Sequence, residues 1–195
     1  MSFVTASVCE TLYASTAAGA SLSSFTTEAQ LNTTATMGVQ SHLPPDFWLP
    51  NQSQTGRGIK IVARGILSST STPTFTWTIR GGASANITTN PLLAGTGALT
   101  AASSVTNQIW ELEVDIILTA IGAAGGNSTV RSIGTIRSPG LNPVIGPVWG
   151  AGASPGTVAT LDTSITNYLN VNVACGTSNA SNAVTLYSLI VFGLN

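Results

Sequence analysis

Between Ile109 and Leu118 the sequence IWELEVDIIL alternates without a break: Trp110, Leu112, Val114, Ile116 and Leu118 fall on one side, and Glu111, Glu113, Asp115 and Ile117 on the other. A period of two marks a strand with one buried face, and a helix would scatter those five apolar side chains around its circumference. The same period returns between Gly56 and Arg80, where Ile59, Ile61 and Ala63 alternate with Lys60, Val62 and Arg64, and Phe75, Trp77 and Ile79 with Thr74, Thr76 and Thr78. The connector Ser68 to Pro73 holds only Ser, Thr and Pro, which favour turns, so a hairpin is predicted here. The apolar faces of these and the later strands predict a core containing Ile61, Trp77, Trp110, Leu112, Val114, Val171 and Ile190.

The remaining segments fit the same scheme. Residues 1–42 are rich in Ser, Thr and Ala, with short β-like pieces at Val8 to Tyr13 and Ser24 to Leu31 and Gly19 as a turn between them. They read as an arm or as edge strands, open to exchange with a neighbour, and residues 43–195 as the sandwich of a single domain. In Leu43 to Asn51, Phe47 and Trp48 lie among prolines that exclude helix, and they are expected to plug one end of the sandwich. Thr129 to Arg137 reads as a strand with Val130, Ile133 and Ile136 as its apolar members. Ser138 to Gly156, SPGLNPVIGPVWGAGASPG, reads as a long Gly/Pro loop of a kind that is usually functional. Tyr168 to Ala174 and Ala183 to Phe192 close the chain, the latter apolar on nearly both faces and therefore expected in the core or at a subunit contact. The fold class is all-β, an antiparallel, jelly-roll-like β-sandwich of about 8–10 strands.

Composition narrows the function. Only 7% of the 195 residues are charged, against about 25% in ordinary soluble domains. A surface so poor in charge suits a subunit of an assembly. The net charge of −1 and the scattering of six basic residues remove the electrostatic basis for binding nucleic acid. No apolar run reaches the roughly 18 residues of a membrane span, and the N-terminus does not read as a secretion signal. Cys9 and Cys175 are too few for a disulfide framework; a bridge between them requires the chain ends to meet, and two buried thiols are the simpler expectation.

Residue patterns for chemistry were weighed in turn. Glu111, Glu113 and Asp115 stand in a row about 6.8 Å apart, which suits charge pairing with Lys60 and Arg64 on an adjacent strand, or with a neighbouring subunit, better than a calcium site or an acid/base pair. His42, the one histidine, sits beside Pro44 and Pro45, and the chain has no GxSxG elbow, so a catalytic triad is not expected. Gly56, Gly58, Gly95 and Gly97 do not complete a phosphate-binding loop. The sequons at Asn86 and Asn127 are what a Ser/Thr-rich chain produces by chance. No catalytic residue, cofactor or metal is therefore expected.

Four stretches, 12–20 (LYASTAAGA), 56–76, 97–114 and the IGAAG turn at 121–125, resemble virion structural proteins of tailed bacteriophages, those of actinobacteriophages above all. The resemblance implies a β-sandwich or jelly-roll protein built into a virion after synthesis in the host cytoplasm, with no catalytic residues. The expected role is a capsid decoration or minor capsid protein, a homotrimer that binds the major capsid protein or other virion proteins and stabilises the head. The alternative is a tail or fibre module that binds a receptor glycan through exposed aromatics such as Trp48 or Trp149. The candidate partner contacts are Trp48, Val144, Ile145, Val148 and Trp149. A third possibility, the single-jelly-roll coat of a small virus, normally needs a basic arm, and the segment before His42 contains no Lys or Arg.

Overall fold

The computed structural model describes residues 10–38, 40–45, 47–48, 57–85, 87, 90–123, 126–150 and 158–194. Their elements are β1 (Glu10–Ser15), β2 (Ser21–Ser23), β3 (Ala29–Gln30), one helical turn α1 (Thr34–Met37), β4 (His42–Leu43), β5 (Gly58–Ser68), β6 (Thr74–Gly82) and β7 (Leu92–Gly95). There follow β8 (Leu99–Ala101), β9 (Gln108–Ala120), β10 (Ser128–Arg137), β11 (Leu141–Asn142), β12 (Ile145–Gly150), β13 (Val158–Leu161), β14 (Asn167–Cys175) and β15 (Ala183–Leu194). Cys9, Asn86 and residues 151–156 of the Gly/Pro stretch lie outside the described residues.

The strands pair antiparallel along the path β1-β15-β5-β9-β10-β12-β7-β6-β14-β3. Within it β1-β15-β5-β9 and β3-β14-β6-β7 form two layers. Every step between successive members of these eight strands crosses from one layer to the other, except β6 to β7, which pair directly. That weave is a jelly roll. Strands β10 to β13 are inserted between β9 and β14; β10, β12 and β13 extend the first layer, which turns into the second where Trp149 and Gly150 of β12 meet Gly95 and Ala94 of β7, and β11 pairs with β8. On the opposite side the N-terminal segment links the layers, with Gly19 N donating to Leu186 O, Ala20 N to Leu31 O and Leu31 N to Val171 O.

The core between the layers is built from the period-two faces. Ile59, Ile61 and Ala63 of β5, Phe75, Trp77 and Ile79 of β6, and Trp110 to Leu118 of β9 at alternate positions are all buried. Phe75, Trp77 and Trp110 form a chain of tilted ring contacts at 5.7 and 5.9 Å, a geometry that adds about 1 kcal/mol per pair beyond area burial. Phe47 and Trp48 are buried as expected, their rings edge to face at 5.7 Å.

Three local expectations are corrected. First, β5 and β6 do not form a hairpin: β5 pairs with β15 and β9, and β6 with β7, β8 and β14. Their connector arches over the end of the sandwich, with Ser69 N donating to Val105 O and Thr70 N to Asn182 Oδ1. Second, Ile190 is not a core residue. The β15–β5 register slips between Leu186 and Ser188, so Tyr187 is an extra residue; Val184 and Leu186 before it face inward, as do Leu189 and Val191 after it. One inserted residue moves the rest of a strand to the opposite parity. Third, the Gly/Pro stretch is not a loop up to Gly150: Ile145–Gly150 pairs with β10 from Arg137↔Ile145 to Ile133↔Trp149. Within β10, Val130, Ser132 and Ile136 face the core and Ile133 points outward. Short of Trp149, β12 has a strand on one side only, which tolerates Pro147, and a Cβ on Gly146 would come within 2.8 Å of Leu99.

Candidate binding face

The outer face of the β15-β5-β9-β10-β12 sheet carries the side chains that alternate with the core. Register places Arg64 beside Glu111 and Lys60 beside Asp115 across β5 and β9, and Arg137 beside Glu111 across β9 and β10. The predicted charge pairing is present. Lys60 Nζ lies 2.6 Å from Glu113 Oε1 and 3.7 Å from Asp115 Oδ1, and Arg64 Nε donates to Glu111. The hydrogen bond from Lys60 holds the Glu113 carboxyl below its ordinary range despite partial desolvation, with the fields of Lys60, Arg137 and Arg64 acting in the same direction. The same bond raises Lys60. Arg137 makes no ion pair among the described residues.

Around this charged band the face is apolar. Ile109 is 69% exposed, Ile133 66%, Val144 and Ile145 55% each, and Tyr187 48%. These residues face outward with no further layer of the described residues over them. Of the residues singled out from sequence, Val144 and Ile145 belong to this surface, and Trp149 is half-buried on the same side of β12. Trp48 and Val148 do not; both are fully buried. Trp48 packs on Phe47, whose carbonyl accepts from Arg57 Nη1 at 3.0 Å, and Val148 has the inward parity of β12. Neither can act as a surface platform.

A groove of about 560 Å³ opens at one end of the face. Tyr187, Ile66, Ile109 and Val144 supply apolar lining, while Arg64, Glu111 and Arg137 bring charge to it. Trp110 also lines it, held with its Nε1 donating to Ile66 O at 3.1 Å. Tyr187 was not marked by the sequence pattern, since it lies in a segment apolar at most positions. The available signal is faint: Ser188 is the one polar residue at the parity that Val184, Leu186, Ile190 and Phe192 share.

Elsewhere, His42 on β4 is exposed; its Nδ1 is 3.2 Å from Gln40 O and its ring 5.9 Å from that of Tyr168. Cys175 is a free, buried thiol, pushed up in pKa by burial. Among the described residues no group of three His, Cys, Asp or Glu side chains gathers as a metal site.

Fold and face together define a jelly-roll sandwich with an open, amphipathic outer sheet. No protein-family model matches the chain, and no curated protein matches it. Among solved structures it is similar to the CBM2 module of the evolved Dit of Lactobacillus casei BL23 phage J-1, at 11% identity and a TM-score of 0.30, over 80% of this chain and 68% of that one. A superposition that loose does not establish a common fold.

Proposed function

We propose that this chain is a non-enzymatic structural component of a bacteriophage virion and works by adhesion through its open outer sheet. The observation that carries the reading is the concentration of large, half-exposed aliphatic side chains, Ile109, Ile133, Val144 and Ile145, on one face of one sheet. In a chain with 7% charged residues, a face of this kind is a contact surface. The likeness of residues 12–20, 56–76, 97–114 and 121–125 to phage virion proteins supports placing that contact in a particle. Within this reading, attachment to the head and recognition of a host-surface glycan are both adhesive roles. The groove beside Tyr187 favours the second, because a flat protein contact has no need of a recess of this size. Mass spectrometry of purified particles of the phage that encodes the chain is expected to find it as a stoichiometric component. Its absence from intact particles would overturn the proposal.

A further inference from the structure

One wall of the groove, Tyr187, owes its position to a single backbone irregularity. The bulge in β15 places Tyr187 outside the ladder, opposite the junction of Arg64 and Gly65, and leaves the residue 48% exposed. Gly65 contributes no side chain there, and a Cβ on it would lie 1.8 Å from Thr185 O, so the local backbone is fixed. The recess of about 560 Å³ is within the roughly 300–1,000 Å³ range of small-ligand sites.

Its chemistry is mixed in a specific way. The apolar lining includes one aromatic ring free to stack, whereas the charged side chains are two guanidinium groups on either side of one carboxylate, since Arg64 and Arg137 both neighbour Glu111 in the sheet. Guanidinium groups only donate hydrogen bonds and a carboxylate only accepts. A ligand that uses both must carry groups that donate and accept, attached to a body with an apolar face. A peptide backbone also donates and accepts, but along an extended edge, whereas a sugar ring carries hydroxyls around its rim and a C–H face beneath them.

We propose that this groove binds one pyranose unit of a neutral glycan, with the Tyr187 ring under the C–H face of the sugar and Arg64, Glu111 and Arg137 hydrogen-bonding its hydroxyls. The inference rests on the reading of this face as an adhesive surface and adds the class of ligand. Saturation-transfer NMR on the full chain, with the methyl glycosides of glucose, galactose, N-acetylglucosamine, rhamnose and glucuronic acid as probes, tests it. At least one neutral glycoside is expected to bind. Tyr187→Ala should then lower its affinity about 10-fold or more, Arg137→Gln should weaken it, and Tyr187→Phe should retain most of it, with thermal melts confirming that each variant folds. Binding unchanged in Tyr187→Ala, binding of glucuronide alone, or binding of an acetylated Leu-Val-Leu amide in place of every glycoside would overturn the inference. No transfer to any glycoside would also overturn it. The two proposals fail separately: a chain found in particles that binds no glycoside loses only the sugar assignment, and one that binds glycosides but is absent from particles loses only the virion role.

Discussion

Glu28, in the connection between β2 and β3, shows how a single carboxylate ties the N-terminal segment to the sandwich. It accepts from Arg80 Nε and Nη2, both at 2.8 Å, from Thr78 and from Asn172 Nδ2 at 3.2 Å. Burial by itself would raise its pKa, but the hydrogen bonds from Arg80, Thr78 and Asn172, together with the charge of Arg80, hold it below the ordinary carboxylate range. A folded-state pKa below the unfolded value means that the contribution to stability is complete above the unfolded value and disappears as pH falls through the folded one. Glu28→Gln is therefore expected to cost about 2 kcal/mol at pH 7, measured by urea denaturation, and the gap to the parent chain should close in acid. An alkaline rather than acid loss of that gap would contradict the assignment.

At the scale of the element, β15 is the strand whose behaviour departs most from its sequence. Val184, Leu186, Leu189, Ile190 and Val191 are all apolar, yet the bulge at Tyr187 decides which of them reach the core. Ile190 is opposite Val62 of β5 and Ala14 of β1 on the outer side, and Val191 is fully inward. Denaturation midpoints should separate them: Val191→Asn, which buries an unpaired amide, is expected to cost about 3 kcal/mol or more, and Ile190→Asn about 1 kcal/mol. Equal costs, or the reverse order, would show that the strand is in register without the bulge.

At the scale of the whole molecule, the end of the outer sheet away from the groove presents a second apolar surface among the described residues. Ile133 at 66% exposure, with Ile117 and Ile121 at 41% and 42%, forms an aliphatic patch near Arg131, which lies across from Ile117. Closed symmetry is the usual way to bury such surface. We expect a homotrimer in solution, the form that also suits three-fold positions on an icosahedral particle. Light scattering coupled to size exclusion is expected to report three chains for the parent, and a shift toward monomer with an unchanged far-UV circular dichroism spectrum for Ile133→Asp; the melting temperature falls with the lost association. A monomeric parent at micromolar concentration would refute the expectation.

The sequence by itself determined the class of fold and most of the core, because alternation is a local property: Trp110 through Leu118, Ile59 through Ala63 and Phe75 through Ile79 each carry their own record of which side faces water. It also determined the pairing of Lys60 and Arg64 with the carboxylates of β9, since opposite charges on outward positions of two strong strands have few other neighbours. Tertiary structure alone decided that β5 and β6 belong to different layers, that Ile145–Gly150 is a strand, and that Val148 is buried while Tyr187 is not. Each of these depends on which distant segment supplies the hydrogen bonds: β15 and β9 for β5, β10 for β12, and β5 for the bulged β15. A turn-rich connector encodes a change of direction without encoding the layer the chain turns into, and a bulge one residue long reverses the faces of a strand without altering its composition.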